Sequence, residues 1–269
     1  MALARADLES LLRSRQLDRT LTTTLPPPDP VAAGDDTVAA TGITSLDAHL
    51  GGGFPRGQVS ELIGPRSSGR TSLLLQALAA ATARGELTAV VDVLDMFDVE
   101  SAAAAGVDLT RLLWIRGHVV MNPGMCRDLN QRAIEQTLRA FALVLQAGNF
   151  GLVVLDATDA PADAIRRLPF TTWLRLQRMV EGSTTACLLI GAEPMARSAA
   201  GLTLRMGIGQ TVIGDQGLGI GGGQGIGKSG ARFSGQLFKG LDASAKVIRS
   251  RAVGRTEQCV TLRTEASYV

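Results

Sequence analysis

The sequence is poor in aromatic rings, histidine and cysteine: only 4% of its 269 residues are Phe, Trp or Tyr, with two histidines and three cysteines. Cys126, Cys187 and Cys259 are odd in number and far apart, and His49 and His118 stand alone, so there is neither a disulfide framework nor metal-ligand spacing. Isolated cysteines behave as small hydrophobes and are expected to be buried. No structural metal is expected. Long apolar runs are also missing. Nothing approaches the ~20 residues that cross a bilayer, and the opening MALARADLESLLRSRQ is charged throughout instead of carrying an apolar signal core. A cytoplasmic location without membrane contact is the expectation. Charge of one sign is lacking too. With 27 basic against 25 acidic residues the net charge is +2, which excludes a bulk electrostatic hold on nucleic acid and confines any such contact to a local patch.

Glycine, in contrast, is abundant at 31 residues, above the average usage of about 7%. Its distribution follows from the organisation of the chain. Leu8, Leu11 and Leu12 form an apolar stripe that predicts an amphipathic helix over 3–21 within an N-terminal arm, 1–24. Pro26, Pro27, Pro28 and Pro30 then break it and open a linker over 25–40. A core over 41–206 alternates strands with helices. Strands are predicted at 59–64, 88–93, 112–117, 150–156 and 185–192, and helices at 71–85, 98–106, 127–148 and 170–182. Parallel neighbours need crossover connections, so this order predicts an α/β fold with a mostly parallel central sheet flanked by helices. Residues 207–230 are glycine-rich without periodicity and are expected to form a flexible loop. Residues 231–269 are expected to close the core with antiparallel strands.

Two stretches spell a phosphate-binding loop. Gly222 to Ser229 matches the G-x-x-x-x-G-K-[ST] pattern with Lys228 in the lysine position, but glycine precedes it and ARFSGQLF follows. Such a loop works only when a buried strand fixes its start and a helix fixes its end, aiming backbone N–H groups and the helix dipole at the anion. That context belongs instead to Gly64-Pro65-Arg66-Ser67-Ser68-Gly69-Arg70-Thr71, followed by Ser72, between the strand VSELIG and the helix TSLLLQALAA. Here Arg70 stands where lysine is usual, and a planar guanidinium is not a conservative replacement at a crowded site. Thr71 and Asp156, the latter ending the apolar strand GLVVLD, are the expected Mg²⁺ ligands if ATP is bound. The alternative reading of Asp156 is a cap on the following helix.

The stretch TGITSLDAHLGGGFPRGQVSELIGPRSSGRTSLLLQALAAA, with VVDVLDMFDVESAAAAGVDLTRLL, FGLVVLDATD and TACLLIGAEP, resembles the RecA ATPase core over about residues 41–205. Within that superfamily the arginine-bearing loop, Ala192 to Arg205 and the ending GLD…VIRSR resemble the ImuA group of RecA/SulA-like proteins. The resemblance implies an accessory role in SOS-type translesion synthesis, damage-induced mutagenesis and DNA repair. The implied partners are ImuB-like factors, an error-prone DnaE-type polymerase or RecA. Two other functions follow from the same resemblance: an active DNA-stimulated RecA-type ATPase, and a SulA-like cell-division inhibitor. In the ungapped match the catalytic glutamate of RecA falls on Leu94, leaving Asp95 as a weak candidate base. Arg70 and Leu94 together imply a site that binds ATP poorly or does not hydrolyse it.

RecA relatives assemble through an N-terminal element, so the resemblance makes residues 3–21 a candidate for self-association or partner contact. It also places a DNA-contacting loop at 207–230, where Lys228 is the one cation. The C-terminal strip, with Lys239, Lys246, Arg249 and Arg251, is more basic and is a candidate surface for single-stranded DNA, an acidic protein or solvent. Arg166, Arg167, Arg175 and Arg178 around Trp173 read as the exposed face of a helix whose apolar side is core.

Overall fold

A computed structural model describes residues 37–117, 127–196, 200–214, 237–250 and 259–265, all within the compact unit formed by residues 33–269. The apolar segments VSELI, TAVVD, LVVLD and ACLLIG form β3 (Val59–Ile63), β4 (Thr88–Asp92), β6 (Leu152–Asp156) and β7 (Ala186–Gly191), nearly all of them buried on both faces. With β5 (Leu112–Arg116), β8 (Leu202–Gly214), β9 (Leu237–Ser250) and β10 (Cys259–Glu265) they make one eight-stranded sheet in the order β10-β9-β8-β3-β7-β6-β4-β5. From β8 to β5 the neighbours are parallel; β9 and β10 add antiparallel. The expected α/β architecture is the one observed.

Period-two alternation divides the core between the two faces of the sheet. Val90, Val154, Leu188 and Leu204 face α1 (Thr44–Leu50), α2 (Arg70–Ala83) and α3 (Val99–Ala104). Ala89, Val91, Val153, Leu155 and Leu189 face α4 (Arg127–Ala147), α5 (Ala162–Arg166) and α6 (Phe170–Val180). On α6, Trp173 is buried while Arg175 and Arg178 are exposed, and Arg166 and Arg167 are exposed beside them, as the helical spacing implies.

Three expectations change. The linker assigned to 25–40 ends in structure, because β1 (Val38–Ala39) pairs antiparallel with β2 (Phe54–Pro55). Residues 207–214, expected to be loop, continue β8, with Thr211 opposite Leu241 and Gly214 opposite Leu237. Main-chain ladder bonds make that strand, and they require no apolar side-chain rhythm. Cys187 is buried as expected, but Cys259 is exposed at the start of the edge strand β10, opposite the exposed Lys246. The predicted helix over 3–21, Cys126, and the 222–229 match with Lys228 lie outside the described residues, as do Arg251 and the rest of the glycine-rich segment. No helix among the described residues is long and apolar enough to cross a membrane. They hold no cluster of three or more metal-ligating side chains.

Two polar anchors brace this frame. Glu61, fully buried at the centre of β3, accepts 2.7 Å hydrogen bonds from the N–H groups of Met195 and Ala196 and a 3.1 Å bond from the Thr203 hydroxyl. At the opposite, N-terminal edge Arg56 donates to the carbonyls of Val38, Gly151 and Thr184 and to Glu86 at 2.6 Å.

Candidate functional site

The loop from Gly64 to Gly69 leaves the C-terminal end of β3 and enters α2 directly. Its geometry requires two of its glycines. A Cβ on Gly64 (φ 156°) would stand 2.5 Å from the Met206 carbonyl, and Gly69 (φ 86°) opens α2 in the left-handed region. Ser67 is also left-handed, at φ 57°. No side chain caps α2, in contrast to α3, where Asp98 accepts the Glu100 and Ser101 N–H groups. The first N–H groups of a helix lack intrahelical acceptors, so this N-terminus keeps donors and positive dipole for an anion. The Ser68 hydroxyl beneath the loop is buried without a hydrogen-bond partner, a donor that an oxyanion would satisfy. These features fit a polyphosphate.

Beside the loop lies a cavity of about 390 Å³ whose wall includes Thr71, Ser72, Asp92, Leu94, Asp156 and Asp159. Thr71 is exposed there, and Asp156 ends β6 at the C-terminal edge of the sheet, as the sequence implies. Asp92 was not singled out from sequence. It ends β4, stands level with Asp156 on the neighbouring strand, and accepts hydrogen bonds from the N–H groups of Leu94 (3.1 Å) and Phe97 (2.7 Å). Its signal was an apolar strand ending in Asp, the same signal that marks Asp156. Burial pushes the Asp156 carboxyl above its ordinary value. Hydrogen bonds from Thr158 pull against this, the Asp92 charge adds to it, and Arg70 opposes it.

Arg70 is only 5% exposed, and its Nη1 donates to the Gly191 carbonyl at the end of β7 (2.5 Å). Burial lowers its pKa, against the attraction of Asp156 and Asp159. Arg66 is exposed and pairs through Nε with Asp159 (2.9 Å). Pro65 and Ser67 are exposed on the loop and Ser72 is half-buried. Asp95 does not line the cavity; it has φ 59° and makes two 2.6 Å bonds to Arg116, which lies 4.8 Å from the Trp114 ring centre. Leu94 faces the cavity in its stead. Of the basic strip, Lys246 and Arg249 are exposed on β9, far along the sheet order from this cavity, and Lys239 lies on the same strand. The structure therefore brings the loop, Thr71 and Asp156 together and leaves Asp95 and the strip apart from them.

The model of the RecA N-terminal domain matches residues 32–163, the span holding β1 to β6, the loop and Asp156. That span is similar to RecA. Protein RecA of Chlorobaculum parvum is 37% identical over 134 residues, covering 47% of this chain and 35% of that protein. RecA of Bordetella petrii is 39% identical over 127 residues, covering 47% and 32%. RecA of Synechococcus sp. is 47% identical over 124 residues, covering 45% and 28%. The chain thus spans about a third of the length of the curated relatives it matches. The RecA-like region includes both the uncapped α2 terminus and the two strand-end carboxylates.

A hard cation fits this cavity less well than a polyphosphate does. Thr71 and Asp156 are suitable oxygen donors for Mg²⁺. Yet each of the four carboxylates of the wall already has a protein partner: Asp92 the Leu94 and Phe97 amides, Asp98 the α3 terminus, Asp159 Arg66, and Asp156 the Thr158 amide at 3.0 Å.

Proposed function

We propose that this chain is a RecA-like accessory protein of SOS-type translesion DNA synthesis and DNA repair. On this reading it holds a nucleoside polyphosphate, ATP included, on the loop Gly64–Ser72 without turning it over. The observation that carries the reading is the pairing of Asp95 with Arg116 while Leu94 faces the cavity. Hydrolysis requires a group that orients and deprotonates the attacking water. A leucine offers no acceptor. The Asp95 carboxylate is engaged by both Nε and Nη2 of Arg116 and does not line the cavity. Asp92, the nearest alternative, spends its oxygens on the amides of Leu94 and Phe97. On this reading the loop still holds phosphate while the water-activating group is lost.

The loop N–H groups and the α2 terminus hold phosphate oxygens on this reading, Ser68 donates from below, and Arg70 contributes positive charge at the end of β7. The accessory role is supported by the resemblance of Ala192 to Arg205 and of the C-terminal strands to the ImuA group. The corresponding partners are ImuB-like and DnaE-type polymerase factors or RecA, met in the cytoplasm, with residues 3–21 available for partner or self contact. The surface assigned to single-stranded DNA on this reading is the strip that holds the exposed Lys246 and Arg249.

The test is a steady-state ATPase measurement with and without single-stranded DNA. Release of phosphate at the rate of the protein-free control is expected under both conditions. Turnover that disappears in Asp156→Ala would refute the reading in favour of an active ATPase. A pull-down from damaged cells is expected to recover polymerase factors; recovery of division proteins alone would refute the translesion assignment.

A further inference from the structure

The two arginines of the phosphate loop stand where they compensate carboxylates of the cavity. Asp156 is level with Ile190 across the β6–β7 pair, and the Ala157 N–H donates to the Ile190 carbonyl at 2.9 Å. The carbonyl that receives Arg70 belongs to the next residue, Gly191. The guanidinium is therefore fixed at the end of β7, immediately beside the strand end that carries Asp156. Arg66, from the same loop, reaches Asp159 at the cavity wall. A guanidinium carries five donors in a fixed plane, so the bond to Gly191 uses one edge of Arg70 and leaves others for a second acceptor.

An anion entering a cavity lined by four carboxylates meets repulsion unless a cation stands between them. A divalent ion ordinarily serves that purpose beside a polyphosphate. Here each of these carboxylates already accepts from a backbone amide or, at Asp159, from Arg66, and Arg70 stands within attraction of Asp156 and Asp159. We infer that Arg70 and Arg66 supply from the loop itself the charge that a divalent cation would bring, so that the chain binds nucleoside di- and triphosphates with little dependence on Mg²⁺. This inference rests on the nucleotide-binding reading above and concerns what stabilises that complex.

The experiment titrates the full chain with a fluorescent ATP analogue, once in excess Mg²⁺ and once in EDTA, and repeats both with Arg70→Lys. The wild-type dissociation constants are expected to agree within about threefold, and the lysine variant to weaken at least about tenfold on removal of Mg²⁺. Wild-type binding that weakens tenfold or more in EDTA overturns the inference and leaves the nucleotide reading standing. Binding in neither condition overturns the nucleotide reading itself. If Arg70→Lys fails to fold, the wild-type comparison alone decides; if it folds and is as indifferent to Mg²⁺ as the wild type, the role given to Arg70 is wrong.

Discussion

Replacing Glu61 separates the effect of a buried charge from that of a buried acceptor. In the folded chain one carboxylate oxygen, Oε1, receives both the Met195 and Ala196 N–H groups and the other receives the Thr203 hydroxyl. Glu61→Ala strands two buried backbone donors, each costing about 1–3 kcal/mol, and adds a small cavity. The sum is about 3–5 kcal/mol, which for a chain of this size lowers Tm by on the order of 10 °C. Glu61→Gln is different. Its amide oxygen can take both N–H groups, and its NH₂ can donate to Thr203, whose hydroxyl then turns from donor to acceptor. The expected cost is below about 1 kcal/mol, a shift within ~3 °C. Differential scanning calorimetry of the two variants measures this contrast. A glutamine variant as unstable as the alanine variant would show that the negative charge, not the acceptor pattern, holds the β7–β8 connection, and would refute the reasoning.

Arg56 and Asp156 give predictions of opposite sign. Burial raises the Glu86 carboxyl, but hydrogen bonds and charge from Arg84 and Arg56 outweigh it and hold the group below its ordinary value. Its contribution to stability is therefore present above the unfolded value of about 4.3 and lost as pH falls through the lower folded value. Arg56→Met should destabilise the neutral protein by about 3 kcal/mol, because the 10%-exposed side chain loses four acceptors, and should flatten the loss of stability in acid; an unchanged acid limb in urea titrations at several pH values would contradict it. Asp156 is raised, so its ionised form is strained in the folded state and stability declines as pH rises through its titration. Asp156→Asn should raise the Tm of the nucleotide-free chain at neutral pH, and a lower Tm would contradict the assignment of burial as the dominant cause.

Most of the architecture was legible because strands such as LVVLD and helices such as α4 carry their periodicities plainly, and their observed ends lie within two residues of those expected. What escaped was set by contacts distant in sequence. β1 and β2 are two residues each and exist only because they pair. α1 buries Leu46 alone and ends at left-handed Gly51, so it has almost no apolar stripe. Residues 207–214 became strand through main-chain pairing with β9. At the site, the loop, Thr71 and Asp156 were readable from motif and context. The direction of the Arg70 side chain, the diversion of Asp95 to Arg116 and the amide-bound state of Asp92 were not, since each depends on which neighbouring strand ends at the same level.

Those neighbours bear on how the arginine exchange is understood. From sequence alone, arginine at the lysine position reads as damage to a hydrolytic loop. A site decaying without constraint would leave a bulky buried cation short of partners, at a cost of several kcal/mol. Arg70 has a main-chain acceptor in Gly191 and lies among attractive carboxylates at Asp156 and Asp159, so the surrounding frame accommodates it. The acceptor is itself held in place. Gly191 lies level with Ile63 in the β3–β7 ladder and its carbonyl also accepts the Gly64 N–H at 3.3 Å, while Glu61, two residues before Ile63, secures the chain just beyond at Met195 and Ala196. The same strand that launches the phosphate loop thus fixes the acceptor of its arginine. That arrangement gives a guanidinium at the lysine position an acceptor and attractive carboxylates, rather than leaving it a bulky buried cation short of partners.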